Sequence, residues 1–390
     1  MNIIFYRYNS VCEPDFIDAF KQVGVNVVED DDGMNANLDI SAKIDRLGDL
    51  IAEYSPLFIF SINYFPFLSI VCDRLGIIYM SETVDCPVFE IYHNSIKNKT
   101  NKTFLFDYGQ YLSVKDYNPE NIFYLPLGSP TERVSKLLGD ESRYLYDVSF
   151  IGSLYSEKDP FTELKISEKS KDKLMSLMNE QVDKASFGME WIEDNLDEES
   201  VKEIKATDSL MGGTEYVCDL DNFIVSNNYL SYHMAYMERI RMLNSLAENK
   251  DINGIHLFTR SNTKDLDKSI ICHGGVKTLT EMPFVFRQST INLKITMRSI
   301  QTGIPQRIWD IMACRGFVLT NYQPELEEYF EIGTHLETFT SIEEMNDKIS
   351  YYLKNDSKRE TISQNGYEEV CNKHSILMRV INMIKIVTSA

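Results

Sequence analysis

Twice along this chain, short uninterrupted apolar runs alternate with segments whose apolar residues recur at helical spacing. A strand that is apolar throughout must be covered on both faces, which calls for a mostly parallel sheet with helices on either side. The first series contains NIIFY, VNVVED, LFIFSI, GIIYM, TFLFD and NIFYLPLG as strands. Between the first two lies PDFIDAFKQVG, where Phe16, Ala19, Phe20 and Val23 mark one helical face and Gly24 ends it. A second series starts at YDVSFIGSLY and resumes with GIHLFT, TINLKIT and GFVLTN. The pattern predicts two Rossmann-like α/β domains, 1–145 and 146–341. A polar, helix-prone stretch of about 157–250 elaborates the second, and residues 342–390 form helices that pack back across the domains. The first of these, SIEEMNDKISYYLKN, opens on Ser341 followed by acids, a capping arrangement.

With 390 residues, 43% of them apolar, the chain can bury two such cores. Acidic residues outnumber basic ones 59 to 39, a net charge of -20, so an extended nucleic-acid backbone meets repulsion and no nucleic-acid partner is expected. A single nucleoside diphosphate stays compatible, because one or two arginines and a helix N-terminus can hold it inside an acidic protein. The seven cysteines are scattered without a CxxC pair, as in a reduced, cytoplasmic protein. The first residues lack the basic-then-apolar order of a secretory leader, and LFIFSINYFPFLSIVC is broken by Asn63 and Pro66, so no membrane span is expected. HExxH, P-loop and GxGxxG patterns are all absent, which disfavours zinc peptidases, P-loop kinases and dinucleotide dehydrogenases.

The residues fit for chemistry concentrate where strands end. In GIPQRIWDIMACRGFVLTN, Pro305 starts a helix and Gly316 ends it, placing Arg307 and Asp310 three apart on one face. Such an arginine can grip phosphate oxygens while the carboxylate accepts ribose or sugar hydroxyls; an intrahelical surface ion pair is the equally open alternative. In the preceding STINLKITMRSIQTG, Asn292, Lys294, Thr296 and Arg298 interrupt an apolar strand. That is either edge-strand alternation or, with Arg307, a local positive cluster for a diphosphate, which would make a metal ion unnecessary. Gly152 and Ser153 close the first strand of the second series, Arg260 follows IHLFT, and His273 precedes two glycines in ICHGGV, a turn near a ligand or simply a solvent-facing one. In the first domain, SETVDCPVFEIYHNS follows GIIYM, so Glu82, Asp85 and His93 stand at a sheet end, although Asp85 beside Cys86-Pro87 suits a plain turn as well. Asn63 and Tyr64 follow LFIFSI in the same way.

Taken with NIFYLPLG, DVSFIGSLY and YYLKNDSKRETISQNGYEEV, the block from Ser289 to Gly333 resembles the CgeB-like (spore-maturation) family of glycosyltransferase-like proteins, whose C-terminal module is similar to group 1 glycosyltransferases of GT-B type. The resemblance implies two Rossmann-like domains facing each other across a cleft. It also implies transfer of a sugar from a nucleotide-sugar donor, UDP-linked as the family prior, to a protein, glycan or small-molecule acceptor. A sugar-nucleotide epimerase and an inactive carbohydrate-binding relative are the alternatives. DIMACRGFVLT then stands in the place of the family's E-A-M-A-C-G segment, with Asp310 as the ribose-binding acid and Arg307 and Gly152 beside the diphosphate. Ser153, Arg260, His273, Asn292, Lys294 and Arg298 complete the expected donor set. Thr302 occupies the position where related retaining enzymes carry a second glutamate, so a retaining outcome is an open expectation. An inverting one needs a general base, for which Asp85 or Glu82 is the candidate.

Overall fold

The computed structural model describes residues 1–139, 143–184, 188–207 and 215–388. The chain divides into two compact units. The first comprises Met1–Arg133, Glu215–Cys218 and the chain from Asn372, and the rest forms the second. Among the described residues each unit is built on one six-stranded parallel sheet.

In the first unit the strands are β1 (Asn2–Tyr6), β2 (Asn26–Asp30), β3 (Phe58–Ile62), β4 (Ile78–Glu82), β5 (Asn101–Leu105) and β6 (Ile122–Tyr124), in the order β2-β1-β3-β4-β5-β6. The apolar runs are buried on both faces, as the sequence required: Phe5, Phe60 and Met80 share a core with Phe16 and Phe20 of the helix Glu13–Gln22. Val380 and Met383 of the last helix, Ile376–Thr388, complete it.

The second unit contains β7 (Tyr146–Ile151), β8 (Ile255–Phe258), β9 (Ile271–Cys272), β10 (Ser289–Lys294), β11 (Val318–Asn321) and β12 (Glu337–Phe339). Their order, β12-β11-β10-β7-β8-β9, winds outward in both directions from the β7–β10 pair, registered through Asn292 opposite Ser149. At that reversal the connections leave to opposite sides and open a crevice at the strands' carboxyl ends. On one face Leu243 and Leu246 of the helix Ser231–Ala247 pack with Met345 and Ile349 of the helix Ile342–Leu353 against Phe150, Leu257, Leu293 and Leu319. Ser341 caps that second helix, accepting from the Glu344 N–H at 3.1 Å.

Several boundaries differ from the sequence reading. The two-residue β9 and three-residue β12 are too short to show a period, and neither was anticipated. The second unit begins at Val134 instead of 146, and of the C-terminal helices Ile342–Leu353 belongs to the second unit while Ile376–Thr388 belongs to the first. The stretch 157–250 is helical as expected, including Glu168–Asp183, Glu198–Thr207 and Ser231–Ala247; its residues 185–187 and 208–214 lie outside the described ones.

Candidate functional site

The crevice of the second unit is held by a residue that the sequence reading passed over. Arg239 sits on the apolar stripe of its helix, four residues after Ala235 and four before Leu243, and is only 4% exposed. Its guanidinium donates to the Ser153 carbonyl just past β7 and, at 2.9 Å, to the Ile295 carbonyl just past β10. It lies over the Tyr155 and Phe150 rings, 4.5 and 5.4 Å from their centroids. One buried cation therefore ties the two strand ends between which a doubly wound sheet receives its ligand. A charge on an otherwise apolar stripe was the available signal.

Beside it stands Lys294, the last residue of β10, donating to the Ile295 carbonyl at 3.0 Å. Desolvation first, and then the charges of Arg239 and Arg307, hold its ammonium well below the usual lysine range. Arg239, Lys294 and Arg307 thus form one electrostatically coupled group, in which the lysine yields its proton most readily. Arg298, expected to belong with them, does not: it is turned onto Glu238, Nε to Oε1 2.8 Å, and onto the Lys184 carbonyl. Its charge is matched by a carboxylate sixty positions away in sequence.

The helix Gln306–Ala313 starts after the β10 strand end. Its apolar face, Ile308, Trp309, Ile311 and Met312, is buried, and the Trp309 indole donates to the Ile304 carbonyl at 3.3 Å, pinning the preceding loop. Arg307 and Asp310 lie on the remaining face. Arg307 approaches Asp310 at 3.4 Å, contacts the Met282 sulfur and lies 5.7 Å from the Phe286 ring centroid. Gln306 donates to the other Asp310 oxygen at 3.1 Å. The intrahelical ion pair of the two alternatives is therefore present, with both side chains part-exposed. Thr302 donates to the buried Glu325 carboxylate at 2.6 Å, so the loop after β11 brings an acid to the place where the sequence shows only a threonine.

Other candidates separate. Gly152 donates its N–H to the Phe258 carbonyl, and the Ser153 hydroxyl serves Glu157 and the Tyr155 N–H, so both shape the loop. Arg260 is exposed just past β8 against Gly275, and His273 follows β9, its ring stacked on Phe258 at 4.5 Å and hydrogen-bonded to His256 at 2.8 Å. Asn292 stands mid-strand, buried, donating to the Phe286 carbonyl and close to Gly316, away from the carboxyl rim.

In the first unit, Asn63 adopts φ 56° at the end of β3 and links three strand ends. It donates to the Tyr8 hydroxyl at 2.9 Å and to Asp85 at 2.7 Å, and accepts from the Val84 N–H at 2.9 Å. Asp85 is exposed. Glu82 is not: it is fully buried, neither oxygen has a partner among the described residues, and burial pushes its carboxyl up to about 8, with Arg379 opposing. A buried protonated acid offers no base to an acceptor. His93 caps its own turn, accepting from the Ser95 N–H.

Among the described residues no helix is long and apolar enough to cross a membrane, and no group of three His, Cys, Asp or Glu residues is placed to hold a metal ion. Aspartates at the D-x-D spacing common in metal-chelated donors do occur, at Asp30–Asp32, where Asp32 pairs with Arg46, and at Asp219–Asp221 and Asp265–Asp267. They are engaged otherwise: Asp221 with Lys205, Asp265 with Tyr236 and Asp267 with Ser269.

A family model described as glycosyl transferase-like matches residues 239–385, beginning on Arg239 itself. Over the whole chain the fold aligns with Anabaena HepE, solved with UDP, at TM-score 0.56 and 12% identity, covering 100% of both chains. The chain has a fold of GT-B type. A glycosyltransferase from Rickettsia africae aligns at TM-score 0.53 and 10% identity over 99% of this chain and 98% of that one. The sucrose-phosphate synthase of Thermosynechococcus elongatus aligns at TM-score 0.52 and 9% identity over 100% and 99%. No curated protein matches the sequence.

Proposed function

We propose that this chain transfers a sugar from a UDP-linked donor to a protein, glycan or small-molecule acceptor, as a member of the CgeB-like branch of these proteins acting in the cytoplasm. The observation that carries it is the coupled group Arg239, Lys294 and Arg307 at the reversal of strand order, with Asp310 three residues from Arg307. HepE was solved with UDP, with UDP and glucose, and with UDP-glucose, which supports UDP as the nucleotide.

As the bond from the sugar to the nucleotide breaks, negative charge grows on the departing diphosphate. Arg307, Arg239 and Lys294 stabilise it where it appears, in place of a divalent ion. Asp310 accepts the ribose hydroxyls, and Gln306 keeps its carboxylate oriented. If configuration is retained, the leaving phosphate takes the acceptor proton and no protein base is needed. If it is inverted, Asp85, exposed and oriented by Asn63, is our base.

The test is incubation with a panel of UDP-sugars with and without chelator, following UDP release and the anomeric configuration of the product. Release unaffected by chelator is the expected result. Conversion of the sugar within an intact UDP-sugar would mark an epimerase, and no UDP binding at all would overturn the proposal.

A further inference from the structure

The loop GSLYSEK, which leaves the carboxyl end of β7, carries one residue whose side chain disfavours the backbone it adopts. Tyr155 has φ 69°, the left-handed region in which the Cβ of an L-residue crowds its own chain; glycine or asparagine rests there easily and a tyrosine does not. Such a residue persists only where its surroundings over-determine it. The backbone is pinned by two serines: the Ser153 hydroxyl accepts from the Tyr155 N–H and the Ser261 hydroxyl from the Leu154 N–H, each at 2.7 Å. The ring reaches from the β7 end to the β10 end, where its hydroxyl donates to the Met297 sulfur at 3.4 Å and the Tyr232 ring stands edge-on to it at 5.3 Å.

What that ring covers is Arg239. The guanidinium lies over two rings, Tyr155 at 4.5 Å and Phe150 at 5.4 Å. Phe150 is a core residue, 2% exposed, whereas Tyr155 is half-buried, so the tyrosine is the cover on the solvent side and leaves Arg239 only 4% exposed. An anion can meet this charge only by taking the place of the ring. The contacts that hold the cover are weak ones, a cation–π attraction and a hydrogen bond to a thioether, which is a poor acceptor. Swinging the ring away relieves the left-handed backbone. Opening therefore sets strain relief against lost attraction, and a ligand that prefers the open arrangement can select it.

We infer that Tyr155 is a gate over Arg239: its ring must swing off the guanidinium before a donor's diphosphate can reach that charge. The gate rests on the transferase reading above, in which Arg239 stabilises the departing diphosphate. Contacts made only with the gate shut oppose donor binding, so cutting them should tighten it. That sign is opposite to the loss expected of a tyrosine that merely props the arginine in place.

Calorimetry on the full-length chain reads the sign, with UDP and with inorganic pyrophosphate, a diphosphate without the nucleoside. Tyr155→Ala removes the whole cover and should bind both about three- to tenfold more tightly than the parent, the worth of one cation–π contact. Tyr155→Phe and Met297→Leu keep the ring and the packing and cut only the tie between the two loops, so each should gain about twofold. On the Arg239→Met background the Tyr155→Ala gain should vanish, because the ring then has no charge to withhold. Parental or weaker UDP affinity in Tyr155→Ala overturns the gate, and so does a gain that persists without Arg239 or is confined to UDP. Should Tyr155→Ala melt well below the parent, Tyr155→Phe and Met297→Leu decide, and parental or weaker affinity in both refutes the gate. Failure of UDP and pyrophosphate to bind the parent or any variant overturns the transferase reading and the gate with it, whereas UDP binding without the gain overturns the gate alone.

Discussion

Replacing Arg239 with methionine separates the two things this residue does. Methionine keeps much of the apolar stem that covers Tyr155 and Phe150, so little packing is lost. What disappears is the pair of charge-assisted hydrogen bonds to the Ser153 and Ile295 carbonyls, which are left without their donor. Hydrogen bonds to a charged group are worth roughly 1.5–3 kcal/mol each. Against them stands the relief of Lys294, which no longer shares its surroundings with a second buried cation. The net expectation is a loss of about 2–4 kcal/mol, or about 4–16 °C in the melting temperature for a unit of this size. R239K keeps the charge but not the planar fork that reaches both carbonyls, and should fall between parent and R239M. Thermal melting and urea titration give the stability, and calorimetry with UDP gives the affinity, which should drop at least tenfold in R239M. An R239M protein that melts within a degree of the parent and binds UDP equally well would refute both the tie and the cradle.

Three further outcomes follow from the same geometry. R307A should lower both UDP affinity and turnover, by about 2–4 kcal/mol in the transition state, while D310N weakens donor binding less than D310A does; folded variants with parental kinetics would reduce the pair to a surface contact. Because burial and the charges of Arg239 and Arg307 lower the Lys294 pKa and a bound diphosphate would raise it again, UDP binding should take up a proton and weaken as pH rises between the free and bound pKa values, and K294M should abolish the uptake. Calorimetry in buffers of different ionisation enthalpy reads it directly, and parental uptake in K294M would exclude this lysine. Glu82 is raised in the folded chain from 4.5 to about 8, so the folded state holds the extra proton in that window. Stability of the first unit should therefore fall by at most about 1.4 kcal/mol per pH unit between about 4.5 and 8, a slope that E82Q removes; identical pH–stability curves for parent and E82Q would contradict it.

Much of the architecture lay in local pattern. Apolar runs such as LFIFSI can only be strands covered on both faces, the spacing of Phe16, Ala19 and Phe20 fixes one helix, and Ser341 caps another through the Glu344 N–H three residues on, all interactions that span a few positions. The Arg307–Asp310 ion pair was legible for the same reason, its members being one turn apart on a helix that starts after Pro305, although the helix ends at Ala313, three residues before Gly316. The donor-site electrostatics were not legible, because charge state and orientation depend on residues that only folding brings together. Arg298 looked available for a phosphate until Glu238 claimed it, Lys294 looked charged until burial beside Arg239 and Arg307 loosened its proton, and Glu82 looked like a base until β4 carried it into the core. Arg239 appeared to be one more polar residue of a polar stretch until the β7–β10 reversal closed on it. Sequence spacing determines which face of an element a side chain occupies, but its solvation and its partners are set by the other strands and helices, and those decide whether it can do chemistry.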